Sequence, residues 1–195
     1  MSASDVMMAY SQHCRDLSDK EVASLVAKGV PEDALGFSAD GGRQFRLRAM
    51  SVFWDGIWFQ IGHGGQRCIA IVCRDERGDV ADIVVWVPQD DRIGLWSGMT
   101  PEHRNVSMIG EEICTLPRLD GDKLWIRDGV LDWLIHHRTG VVILNADLAR
   151  PLLTAASPVV VKSKAHKERL EAAWRAPRIQ VIDDGIAAST TEAVA

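Results

Sequence analysis

The stretch from Lys123 to Leu144, KLWIRDGVLDWLIHHRTGVVIL, constrains the fold more than any other. Leu124, Trp125 and Ile126 make one apolar run and Val141 to Leu144 another. Between them Val130, Leu131, Leu134 and Ile135 recur at helical spacing, giving one apolar face to a helix over 129–138. Asp128 is placed to cap that helix, and Asp132 sits in its first turn. His136, His137 and Arg138 fall in the last turn, where positive charge suits the dipole, and Gly140 is the stop. A strand, a helix and a strand in so short a span fit a right-handed crossover. Trp125 and Val142 are therefore expected on neighbouring parallel strands, with the helix packed across them.

The preceding half has period two instead. From Gln44 to Met50, Phe45, Leu47 and Ala49 alternate with Gln44, Arg46 and Arg48, the pattern of a half-buried strand. Asp55-Gly56 suits a two-residue type I′ turn. That turn sets Trp54 against Ile57, Val52 against Phe59 and Met50 against Ile61 on one apolar face, and Phe53 against Trp58 on the other. Cys68 to Cys73 and Val80 to Val87 are further strands. The second is apolar on both faces except at Asp82, which suits the middle of a sheet. Ile93 to Trp96 adds a short strand, so 43–97 reads as an antiparallel meander. Residues 98–122 lack a clear period; they either hide a strand at Val106 to Ile109 or Glu112 to Leu116, or form a functional loop.

The N-terminal part, 1–36, is helical. Residues 3–14 form a short helix. Ser18-Asp19-Lys20-Glu21 matches the capping box, and Val22, Leu25 and Val26 supply the apolar face behind it. Gly29 ends that helix and Pro31 starts a short one through Leu35. Glu32 and Asp33 with no Arg or Lys make that second helix unfit to read DNA. At the other end Asn145 caps a helix that Pro151 should bend or break. Pro158 to Val161 is a strand, Ser163 caps a helix to Trp174, and Ile179 to Ile182 is a last strand. The expectation is one α+β domain over 1–183: N-terminal helices, an antiparallel meander, then a β-α-β-α-β-α-β segment over 123–182. Residues 184–195 form a disordered tail.

Composition narrows the function classes. With 47% hydrophobic and 25% charged residues in 195, the chain can bury an ordinary globular core. A net charge of -5 argues against binding nucleic acid over the whole surface. The charge is uneven, however. Lys162, Lys164, Lys167, Arg169, Arg175 and Arg178 stand against Glu168 and Glu171, a local +4 that leaves -9 for the rest. Four cysteines show neither a CxxC pair nor a disulfide-scaffold spacing. The first residues have no basic or apolar signal region, and no apolar run reaches the roughly 20 residues of a membrane helix. A soluble, cytoplasmic, reducing setting without membrane contact is expected.

Each candidate for chemistry competes with a plainer role. Asp82 inside VADIVVWV needs a partner if buried, and functional sites are one place where such residues occur. The plainer account pairs it with Arg46, Arg48 or Arg67. His63 lies in GHGGQ, whose backbone N–H groups can face an anion, but the segment lacks the Lys-Ser/Thr of a P-loop and reads first as a strand connection. His63, Cys68 and Cys73 do not converge for metal, because residues five apart on a strand face opposite ways. His137 acts as a general base only if a carboxylate from another element reaches it. The basic residues of 162–178 suit a solvated helix face, with nucleic acid as the alternative partner. Phe53 and Trp58 mark a surface for a protein partner. No cofactor motif and no metal site is expected.

The stretch GVLDWLIHHRTGVVILN, together with KSKAHKERLEAAW and GVPEDALG, resembles uncharacterised proteins encoded by bacterial prophages and other mobile elements. The resemblance covers the last third of the chain and the GVPEDALG segment. It implies mobile-element biology and assigns no site residue. The leading expectation is a non-catalytic accessory or interaction protein. A nucleic-acid-binding or processing accessory using the 162–178 strip is the second expectation. A hydrolase using Asp82 and a histidine is the third.

Overall fold

The computed structural model describes residues 2–36, 45–96, 106–115, 123–156 and 158–175, with Arg175 by its backbone alone. The predicted strand at Ile179 to Ile182, Arg178, the tail over 184–195 and the side chain of Arg175 lie outside the described residues. The fold is mixed α+β, with helices first and strands dominating the middle.

Helix α1 (Ala3–His13) is closed at its start by a capping box between Ser2 and Asp5. Strand β1 (Cys14–Asp16) follows directly. Helix α2 (Asp19–Ala27) carries the predicted capping box, with Ser18 accepting from Glu21 N and Glu21 accepting from Ser18 N. A 3-10 helix, Glu32–Leu35, completes this part.

Strands β2 (Arg48–Asp55), β3 (Trp58–Ile61), β4 (Gln66–Arg74), β5 (Val80–Val87) and β6 (Arg92–Trp96) close into a ring. The pairs β2–β3, β4–β5 and β5–β6 are antiparallel. The closing pair β2–β4 is also antiparallel, whereas β3 and β6 run parallel. Alternation then builds two cores. Met50, Val52, Phe59, Ala70, Ile83 and Val85 share the inside of the ring, where Val6 and Tyr10 of α1 join them. Ala49, Ile69, Ile71, Val84 and Trp86 face outward against Leu25, Leu35, Trp133 and Leu134. Val84, Val85 and Trp86 have no exposed surface, as expected of a central strand.

The first hairpin differs in register from the expectation. Asp55 pairs with Trp58 and Trp54 with Phe59, so Gly56 and Ile57 form the turn. Gly56 takes φ 61° at the first central position, the place a type II′ turn gives to glycine. The slip is two residues, an even number, so every side chain keeps its predicted face. The strand begins at Arg48, four residues later than expected.

Connection 62–65 does more than join two strands. β1 and β4 pair with the same residues of β2 and so occupy its opposite edges. Val52 pairs with both Ile61 and Gln66. The chain therefore crosses over β2 within Gly62–Gly65. A Cβ on Gly65 would lie 2.3 Å from Val52 O, which only glycine avoids.

Strand β7 (Met108–Ile109) lies within one of the two segments suspected of hiding a strand, and a second 3-10 helix spans Glu111–Thr115. Strand β8 (Leu124–Ile126), helix α3 (Val130–Ile135), strand β9 (Val142–Ile143), helix α4 (Ala146–Ala155), strand β10 (Val159–Val161) and helix α5 (Lys164–Arg175) follow. Ile126 bridges Val141 in parallel, and β9 continues antiparallel to β7, while β10 pairs parallel with β8. The expected neighbouring parallel strands are present, one residue earlier than Val142. Pro151 does not break α4, which runs through it with Ala149 and Leu153 buried. Asp128 is not the cap of α3: that position belongs to Gly129, with no side-chain cap. The Asp128 carboxylate turns instead to α5, 3.1 Å from Arg169 Nη2 and 2.7 Å from His166 Nδ1, the latter in poor alignment for a hydrogen bond. Among the described residues no helix is long and apolar enough to cross a membrane.

Candidate functional site

The sequence candidates do not converge. Asp82 has no exposed surface and lies opposite Cys73 where the β4–β5 register shifts. Its Oδ1 accepts from Ile83 N at 2.7 Å, and its Oδ2 has no hydrogen-bond partner. Burial pushes this carboxyl up from 3.8 to about 7. None of the arginines proposed for it reaches it. Arg46 and Arg48 both meet Asp16 at 3.4 Å, and Arg67 makes a two-pronged pair with Glu21 at 2.6 and 2.8 Å. The Arg67 pair holds the Glu21 carboxyl down at about 2.

His63 lies at the opposite end of β4, exposed on the Gly62–Gly65 crossover. It borders a cleft of about 230 Å³ shared with His13, Arg15, Ser51 and Arg67. A histidine and Asp82 therefore form no joint site. His137 does meet a carboxylate from another element: its Nδ1 lies 2.7 Å from Asp33 Oδ2. Both side chains are more than half exposed, so the pair ties the 3-10 helix to the α3 turn in open solvent. Among the described residues no group of three or more His, Cys, Asp or Glu is arranged to hold a metal ion.

Four cations of the basic strip meet acids. Lys162 lies 3.7 Å from Asp132, Lys164 3.6 Å from Glu168, Lys167 3.8 Å from Glu171 and Arg169 3.1 Å from Asp128. Two of those carboxylates come from the segment around α3, so the four cations face four anions. Asp128 and Asp132 thus halve, in space, the +4 counted along the sequence. Phe53 and Ile57, at 53% and 61%, are exposed beside Trp58 on the first hairpin.

Motif reasoning passed over one further cavity. A cavity of about 560 Å³ opens between β4, the β4–β5 turn, the segment around Gly110 and the α3 turn. Ile71, Ile109, Ile113 and Trp133 supply apolar wall, and Arg74, Arg77, Arg138 and Glu112 supply charge. Trp133 is fixed by its Nε1–H donating to Gly140 O at 3.1 Å. Arg74 lies over the Phe45 ring at 4.9 Å.

Arg138 is the unusual member. It follows α3 in the left-handed region at φ 57°, directly after His137 at φ 53°. Two successive non-glycine residues in that region cost conformational energy, and such strain persists where surrounding contacts hold it. The turn swings Arg138 inward, leaving it 4% exposed. Nε donates to Ala34 O at 2.6 Å and Nη1 to Phe45 O at 2.8 Å. Nη2 is buried without a hydrogen-bond partner, and no carboxylate pairs with the group among the described residues. Burial lowers the guanidinium pKa to about 10. Across the same cavity Glu112 Oε2 is likewise buried without a partner, and burial raises its carboxyl. The sequence marks Arg138 only as a helix-end cation. Nothing local in HHRTG announces the left-handed turn that buries it.

Comparison of the chain with protein-family models, with curated proteins and with solved structures finds no match.

Proposed function

We propose that this chain is a non-catalytic binding module, an accessory protein whose working site is the cavity at the α3 turn. The observation that carries this reading is a cavity of about 560 Å³ bordered by Ile71, Ile109, Ile113, Trp133 and the buried Arg138. Cavities of this size, mostly apolar with a few converging polar groups, are the usual form of a small-molecule site.

The lining favours binding over turnover. Among the described residues it contains no histidine, cysteine or serine, and the Thr115 hydroxyl already donates to Glu76 O at 2.5 Å. Nucleophilic or acid–base catalysis needs a nucleophile and a base within reach of one another. A hydrolase built on Asp82 has less support, since that carboxyl is enclosed and no histidine pairs with it among the described residues. A nucleic-acid role for the strip has less support too, because its four described cations face carboxylates. The resemblance to prophage and mobile-element proteins suits an accessory role, and gene neighbourhood tests that context directly.

The test of the site is a fragment screen by NMR on the 15N-labelled chain, with compounds of every charge type. Binders are expected to move the Trp133 indole N–H and the backbone amides of Gly78 and Gly110. A screen whose binders shift only residues around His63, or none at all, overturns the assignment.

A further inference from the structure

We infer that the cleft beside the Gly62–Gly65 crossover binds a compact oxyanion, the phosphate group of a small molecule, on the side chains of Arg15, Arg67, His13 and His63. This site is separate from the cavity at the α3 turn, and each can fill without the other.

Strand register places the two arginines. Arg15 of β1 pairs with Ala49 of β2, and Arg67 of β4 pairs with Ser51. Residues directly opposite one another share a face, and so do residues two apart on one strand. Arg15, Ala49, Ser51 and Arg67 therefore stand on one face. β1 and β4 flank β2, so about 10 Å separates the strands that carry the arginines. Between them the small side chains of Ala49 and Ser51 make a floor rather than a wall. His13, the last residue of α1, and His63, on the crossover, complete the rim. The cleft so formed has about 230 Å³. Sites for drug-sized ligands occupy roughly 300–1,000 Å³, so this one suits a compact group. Ala49 and Ile61 are the apolar side chains of its lining, too few to hold an organic body.

Access is open. His13, Arg15, His63 and Arg67 are all exposed, so their donors can reach a ligand in the cleft. Glu21 is the acid that counts against the site. It takes Nε and Nη2 of Arg67, at 2.6 and 2.8 Å, and leaves Nη1. Asp16 follows Arg15 in sequence but points to the opposite face, where it meets Arg46 and Arg48. Among the described residues no carboxylate pairs with His13, Arg15 or His63. Two arginines against one glutamate leave +1 at the cleft, on a chain that totals -5.

The donors are side chains. Each histidine offers at least one ring N–H, since neutral imidazole keeps one and the charged form has two. Ser51 adds a hydroxyl on the floor. The Gly62 N–H is already spent on Ser51 O at 3.2 Å, so the GHGGQ backbone contributes less than its sequence suggests. A phosphate group carries about -1.5 to -2 of charge and three strong acceptor oxygens. It can accept from both edges of β2 and from the rim at once, which a spherical chloride cannot do with direction.

The experiment titrates the 15N-labelled full chain with inorganic phosphate, glycerol 3-phosphate and an oligothymidylate lacking terminal phosphates, with sodium chloride at matched ionic strength as the control. The amides of His13, Ser51, His63 and Gly64 are the readout. Phosphate and glycerol 3-phosphate are expected to give saturating shifts there, with Kd below about 10 mM. The tighter of the two tells whether the free ion or the ester is preferred, and either order supports the site. Arg15→Gln, at an exposed position, should weaken both about tenfold, the loss expected for one charged hydrogen bond. His63→Gln should weaken them about threefold, and Lys164→Gln on α5 should leave them unchanged.

Shifts that do not saturate, chloride moving the same amides as far, or binding unchanged in a folded Arg15→Gln chain each overturn the inference. An oligothymidylate that binds more tightly than either small anion overturns it in favour of a nucleic-acid strand. None of these outcomes touches the cavity reading, which is read at Trp133 and Gly110.

Discussion

Helix α5 and the α3 turn both present positive charge, and they use it in opposite ways. On α5 and just before it four cations lie in water, each within ion-pair distance of a carboxylate. At the α3 turn one cation is buried and held by two carbonyls, with no carboxylate at ion-pair distance among the described residues. The first cluster is conspicuous in the sequence and is partly offset in the fold. The second is a single arginine in HHRTG, which the fold buries. What differs is solvent. A matched pair in water contributes little to stability, whereas an unmatched ion in the interior is costly and must be held in place by its neighbours.

The contrast breaks most directly at Arg138. Arg138→Ala should lower stability by about 3 kcal/mol in urea unfolding, since it strips the Ala34 and Phe45 carbonyls of their donors and leaves a hole. A loss as small as that of one α5 lysine would erase the distinction.

Asp82 is the acidic counterpart of Arg138, and its removal should act in the other direction. Its folded pKa of about 7 lies above the ordinary 3.8, so stability is full below 3.8 and is lost as pH rises through 7. Asp82→Asn should therefore raise stability by about 2 kcal/mol at pH 8 and flatten the profile between pH 4 and 7. Urea midpoints across that range decide it, and an unchanged profile would show that Asp82 escapes its burial.

Glu21 lies between the extremes, partly exposed and matched by Arg67. Its carboxyl is held at about 2, below the ordinary 4.5, so its contribution is present above 4.5 and is lost as pH falls toward 2. Glu21→Gln should cost about 1 kcal/mol near neutral pH, counting both the screened pair and the capping box. Thermal unfolding at pH 7 and pH 3 tests it, the difference from wild type shrinking at the lower pH.

The smallest effects belong to the strip. Changing Lys162, Lys164, Lys167 or Arg169 singly to Gln should shift stability by less than about 0.5 kcal/mol. A larger shift that vanishes in high salt would mean that the α5 pairs act as a network.

Features that depend on near neighbours are legible in the sequence. The capping box at Ser18 and Glu21 is four residues long, and the central position of Val80 to Val87 follows from its two apolar faces. The hairpin faces survive an error of two in register because strand side chains alternate. Closure of the ring is not legible in the same way. The pairing of β3 with β6, and of β2 with β4, joins residues far apart in sequence, and no alternation specifies a partner at that range. Asp128 shows the same limit: its local setting suits a helix cap, and only the arrival of α5 redirects it. Arg138 escapes notice because a cation at a helix end already has a sufficient local reason to be there.

Closure of the ring also bears on how the protein behaves when crowded. An open sheet ends in two strands whose outer N–H and C=O groups offer a template to a second molecule. Here β2–β4 and β3–β6 join those ends, so Ile69 and Ala70 of β4 and Val84–Trp86 of β5 have strand partners on both sides. The sides left open belong to short strands such as β1 and β10, three residues each, and to the four-residue ends of β4 and β5 beyond the β2 and β6 pairings. A concentrated solution of the folded chain thus has little strand edge from which a fibril could grow, and aggregation would have to await the opening of the ring.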